Sequence, residues 1–167
     1  SSGWYRLSSK PVKYFQRKYG FNDSEIDFLE NTKGVIVGDT LHYTNFLRSL
    51  SAVDLPTEET FKYVNTLMYV ENYIDYQSTK IYNCVNDWPH NNIRYWRYKI
   101  DQYQPKSPYG LDGRWRWVNV DNDSGFLSGN EEYIIANSSF SAFSFALNSF
   151  DCDAYSRTNI RRTYALY

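Results

Sequence analysis

Methionine occurs once and cysteine twice in 167 residues, and neither sign of charge prevails, with 18 Lys and Arg against 19 Asp and Glu. Cys84 and Cys152 are too few for a disulfide scaffold and wrongly spaced for a metal knuckle, leaving one bridge or two buried thiols. A net charge of -1 gives no bulk attraction towards nucleic acid or an anionic membrane surface. No stretch approaches the roughly 18 consecutive apolar residues of a spanning helix. Glycine-rich phosphate loops of the G-x-G-x-x-G or P-loop kind are missing. Neither His42 nor His90 has a Ser or Cys at the spacing of a hydrolytic triad. Any function must therefore come from a local constellation in a chain long enough for one domain with a real core.

What the chain has in excess is rings. Seventeen Tyr, ten Phe and five Trp make 19% of it aromatic, so bulky side chains with a polar tip carry much of the packing. The first two thirds read as short helices between stop signals. Ser9 and Pro11 mark a helix start and Gly20 its end, with Tyr14 and Phe15 inward. A second helix is expected from about Asp23, with Ile26 and Leu29 on one face and Gly34 as terminator, and Val35 to Val37 as a brief extended link. Asp39 or Thr40 caps a third, in which Tyr43, Phe46, Leu47 and Leu50 form a buried stripe. Pro56-Thr57-Glu58-Glu59 opens a fourth segment, where Phe61, Val64 and Met68 share a face and the pattern continues through Val70, Ile74, Ile81 and Val85. Without Gly or Pro between residues 57 and 87, it is one long helix or two nearly continuous ones.

After Pro89 the texture changes. Residues 93–99 and 114–120 are rich in aromatic and β-branched residues and are separated by turn formers including Pro105, Pro108, Gly110 and Gly113, which predicts a hairpin with a long loop. Helical spacing returns at Phe140, Phe143, Leu147 and Phe150. The fold class that follows is mainly α with a small antiparallel β-hairpin.

If Lys99 faces Arg114 in that hairpin, then Ile93 faces Val120 and Asn92 faces Asp121, with Cα atoms about 4.5–5.5 Å apart. The loop entering this end is Asp87-Trp88-Pro89-His90-Asn91-Asn92 and the one leaving it is Asp121-Asn122-Asp123-Ser124-Gly125. Each alone is an ordinary turn composition. Together they bring several Asp and Asn oxygens to one rim, hard donors that suit Mg²⁺ or Mn²⁺ rather than zinc. A cation would also relieve repulsion among Asp87, Asp121 and Asp123, with Arg94 and Arg97 as the nearby basic residues.

These residues resemble a known family. The runs Glu71–Gln77, Asn86–Arg97, Asp112–Val118 and Asp121–Phe126 are similar in order, spacing and aromatic content to the CotH family, the spore-coat-protein-H type of atypical protein kinase, and the likeness covers most of residues 11 to 150. It implies an atypical protein-kinase-like C-lobe spanning residues 11–167, with residues 1–10 a cloning scar or the tail of a missing N-terminal lobe. It also implies Mg²⁺-dependent transfer of the γ-phosphoryl group of ATP to a Ser or Thr hydroxyl of a secreted or surface protein. Asp87 would be the catalytic Asp. Asn92, five residues on, would bind cofactor and metal, the interval found in kinase catalytic loops. Asp121 would be the metal and nucleotide ligand after the hairpin, with Asp123 as a second metal candidate because Asp123-Ser124-Gly125 imitates an Asp-Phe-Gly turn. No lobe carrying the phosphate-covering loop and the Lys–Glu pair is expected before residue 11. The family texture implies an extracytoplasmic location, with a protein substrate or surface-protein partner and tethering to other extracellular modules. The contrasting expectation is a non-catalytic carbohydrate- or protein-binding module that uses exposed Trp88, Trp96, Trp115 and Trp117.

Overall fold

A computed structural model describes residues 11–32, 34–53, 57–83, 85, 88 and 91–122. Within them the chain forms α1 (Pro11–Tyr19), β1 (Ile26–Glu30), β2 (Gly34–Val37), α2 (Leu41–Ala52), α3 (Glu58–Leu67), α4 (Val70–Tyr82), β3 (Arg94–Tyr98) and β4 (Arg116–Val118). The strands make one antiparallel sheet in the order β2-β1-β3-β4. The fold is thus α+β, and the expected hairpin is the right half of a wider sheet.

The sheet is covered on both faces, and the alternation of side chains along each strand sorts them between two cores. Ile26, Phe28 and Trp96 meet Val12 and Phe15 of α1 together with Phe21. Leu29, Tyr95, Trp115 and Trp117 meet Tyr43, Phe46, Leu47 and Leu50 of α2, Val64 of α3, and Val70, Tyr73 and Tyr76 of α4. The rings interlock: Phe15 lies 4.4 Å from Trp96, Tyr43 lies 4.3 Å from Tyr95, and Tyr73 meets Trp117 edge-on at 4.6 Å between centroids.

Three sequence expectations are corrected here. The second helix is a single 3₁₀ turn over Asp23–Glu25 followed by β1, and Ile26 and Leu29 face opposite cores. β1 is an internal strand buried on both sides, so its sequence, Ile-Asp-Phe-Leu-Glu, has no period of two to reveal it. In α1, Phe15 is inward but Tyr14 is exposed. The long segment after Thr57 takes the second of its two expected forms, a pair of nearly continuous helices, the first capped by Thr57 Oγ1 accepting from the Thr60 amide at 3.1 Å. It breaks at Met68 because the main chain there pairs with another segment: Trp115 N–H donates to Leu67 O at 3.0 Å and Tyr69 N–H to Trp115 O at 2.9 Å. Phe61 and Ile74, expected on the buried face, are exposed.

The α2 stripe is as expected, with Tyr43, Phe46, Leu47 and Leu50 buried. Its first turn is capped by Asp39, whose Oδ1 accepts from the Leu41 amide at 2.8 Å. Gly38 before it has φ 81°, and a Cβ there would lie 2.3 Å from Asp27 Oδ1, so only glycine allows β2 to turn this closely over β1. The expected Phe140–Phe150 helix lies outside the described residues.

Candidate active site at one end of the sheet

The register of the hairpin differs from expectation by one residue. Arg94 pairs with Val118, Tyr95 with Trp117 and Trp96 with Arg116. Continued outward, that ladder sets Asn92 across from Val120 rather than Asp121. A slip of one exchanges the two faces of a strand, and the observed register is the one that turns Trp117 and Tyr95 towards the same core. Asn92 and Asp121 nevertheless leave the sheet at the same end, two residues before β3's first pair and three after β4's last.

That end has a backbone signature. Glu30 of β1 pairs with Arg94, so the chain beyond β1 emerges there too. Asn31, Asn92 and Asp121 have φ of 49°, 54° and 52°, and they are the non-glycine residues with positive φ among those described. Asn and Asp are the types that tolerate this left-handed conformation. Asn31 ties the rim together: its amide donates to Ile93 O at 2.8 Å, its Oδ1 accepts from the Ile93 amide at 3.4 Å, and its carbonyl accepts from Tyr95 Oη at 3.1 Å.

The helical side of the rim is α4. Lys80 is fully enclosed, and its Nζ donates to Val120 O at 2.6 Å and Asp121 O at 3.4 Å. Earlier on the same helix, Asn72 grips β4 by its main chain: the Trp117 amide donates to Asn72 Oδ1 at 2.6 Å and Asn72 Nδ2 donates to Trp117 O at 3.1 Å. The chain leaving α4 is anchored by Val85 and Trp88, both fully buried, with Trp88 edge-on to Tyr76 at 6.5 Å.

Of the expected site residues, Asn92 is half-buried and Asp121 exposed. Asp87 and Asp123 lie outside the described residues, as do His90 and Cys84. Among the described residues no group of three or more His, Cys, Asp and Glu is gathered as a metal cluster. Of the basic residues expected near the rim, Arg94 is engaged with Glu30 at 3.5 Å, and Arg97 lies further along β3, paired with buried Asp27 at 3.0 Å. Trp88, Trp96, Trp115 and Trp117 are 0%, 2%, 0% and 8% exposed, which overturns the expectation that they form a sugar-stacking surface. Lys80, Asn31 and Asn72 were not singled out from the sequence. Lys80 carried a legible sign, since it sits four residues after Tyr76 and seven after Tyr73, on an inward stripe where a lysine is out of place.

The other ionic groups are structural and lie away from this rim. Asp27 binds Arg97 and Lys99, with Lys99 Nζ at 3.2 Å. Asp112 accepts from Arg114 Nε at 2.9 Å and from both terminal nitrogens of Arg116 at 2.8 Å. Burial pushes its carboxyl pKa up, but the hydrogen bonds from Arg116 and Arg114 outweigh this and hold it below the usual value. The two guanidinium groups stack on Tyr69 at 4.6 and 5.1 Å. No helix is long and apolar enough to cross a membrane among the described residues.

Residues 12–162 match a family model described as CotH kinase protein. No curated protein and no solved structure matches the chain.

Proposed function

The chain belongs to the CotH kinase protein family, and on that premise we propose that it is the C-lobe of an atypical protein kinase, transferring the γ-phosphoryl group of ATP to a Ser or Thr hydroxyl of a secreted or surface protein. The observation that carries this reading is the arrival of Asn92 and Asp121 at one end of the sheet, both in left-handed backbone.

In this reading Asp87 accepts the proton of the acceptor hydroxyl as its oxygen bonds to the γ-phosphorus. The bond to the β,γ-bridging oxygen breaks, and ADP leaves with that electron pair. Asn92, Asp121 and Asp123 offer amide and carboxylate oxygens, the donor chemistry that Mg²⁺ or Mn²⁺ prefers. The cation, when bound, neutralises charge on the phosphate oxygens. Asn31 holds the main chain of Ile93, next to Asn92, and Asn72 holds that of Trp117 in β4. Phosphoryl transfer asks mainly for such positioning, and a rim built on strand ends supplies it more precisely than free loops would. We place the protein outside the cytoplasm, at a cell or spore surface and joined to other modules, in keeping with its family.

Calorimetric titration of Mg·ATP against the wild type, Asn92→Ala and Asp121→Ala tests the reading. Saturable binding in the wild type that weakens at least ~10-fold in each variant is expected. Three identical isotherms would refute it.

A further inference from the structure

An ammonium withdrawn from water is costly unless hydrogen bonds replace its hydration. Lys80 is 0% exposed, and its partners include the main-chain carbonyls of Val120 and Asp121, with the Tyr76 ring 5.8 Å away. Carbonyls belong to the path of the chain rather than to one rotamer, so this amine fixes where residues 120 and 121 run. Asp121 adopts its left-handed φ of 52° at that point. The clamp joins the last turn of α4 to the chain leaving β4 at Asp121, while Tyr76, one turn earlier on α4, packs on Trp88.

We propose that Lys80 is a positioning residue for the cation-binding rim: it holds the Val120 and Asp121 carbonyls against α4 and thereby sets the Asp121 carboxylate on the same rim as Asn92. The inference rests on the reading of this rim as a metal–nucleotide site. Its charge gives the test a sign. A cation lodged near the rim without positioning anything would repel a divalent ion, and its removal would tighten binding. A lysine that merely fills the core would leave affinity unchanged and alter only stability.

Mn²⁺ binding to the full chain, followed by the loss of the free-ion electron paramagnetic resonance signal, separates these cases for the wild type, Lys80→Met and Lys80→Arg. Each protein is first checked by near-ultraviolet circular dichroism to be folded at the temperature used. Lys80→Met should bind Mn²⁺ about 10-fold or more weakly, the range found when groups supporting a metal ligand are removed. Lys80→Arg, which keeps a charged donor, should recover part of the loss. Equal or tighter binding by folded Lys80→Met overturns the positioning role while wild-type binding leaves the site intact. Failure of the wild type to bind Mn²⁺ overturns the site and the inference together. Should Lys80→Met not fold, Lys80→Gln carries the same comparison with the same outcomes.

Discussion

His42 accepts a hydrogen bond from Trp115 Nε1 at its Nδ1, 3.0 Å away, and this requires the ring to be neutral at that nitrogen. Burial, aided by the positive charge of Arg97 and opposed by Asp27 and Asp39, lowers its pKa from 6.5 to about 4. The unfolded chain takes up a proton at this residue below 6.5, whereas the folded protein does not until about 4. The stability it confers is therefore complete above 6.5 and is lost as pH falls through that window, because the unfolded state binds more protons there. Asp112 and Glu25, held below their ordinary values of 3.8 and 4.5, lose their contribution as pH falls below those values, so they act at the acid edge of this window and beyond it. Thermal unfolding of the wild type should show a midpoint that declines as pH drops from 6.5 towards 4. In His42→Gln, whose amide oxygen can still accept from Trp115, the decline should flatten. An unchanged slope in that variant would assign the effect elsewhere.

The helices were legible element by element because each of α1, α2 and α3 carries its own start signal, and α2 adds a stripe at i, i+3, i+4 and i+7. β1 escaped for a different reason, and β2 was legible only as a brief extended link over Val35 to Val37. A strand buried on both faces has lost the alternation that announces strands, while Gly34–Val37 is too short to show any. The hairpin's existence was readable from its aromatics. Its register was not, since the long connection from Lys99 to Trp115 contains no two-residue turn to set the pairing. The register is set by packing, and also by Asn72, whose carboxamide pairs with the Trp117 main chain in both directions as a further strand would. Asn72→Ala leaves both Trp117 groups without these partners and should destabilise the fold by about 2–3 kcal/mol, from two lost hydrogen bonds and incomplete resolvation. A loss of unfolding free energy, measured by urea titration, of less than a third of that would mean β4 is held by its aromatic core alone.

Across the whole molecule, the sheet divides labour between its ends. One end carries ionic groups already matched, Asp27 with Arg97 and Lys99 beside the cap of α2. The other gathers the left-handed Asn31, Asn92 and Asp121 under the clamp from Lys80. That Asn92 and Asp121 leave the sheet at one end could be read from their order in the chain. Their support could not, because Asn31 and Lys80 lie 62 and 40 residues from the partners they hold. Trp88, Trp96, Trp115 and Trp117, which looked like ligand platforms, prove to be the material of the two cores.

The central claim is that the rim beyond β3 and β4 binds a divalent cation. Substoichiometric Mn²⁺ added to ¹⁵N-labelled protein tests it most directly, because the ion broadens nearby amide resonances in two-dimensional spectra. The amides of Asn92 and Asp121 should broaden first, while that of Gly113, at the far end of strands that span about 17 Å, should be affected least. Uniform broadening, or loss that begins around Gly113, would contradict the account.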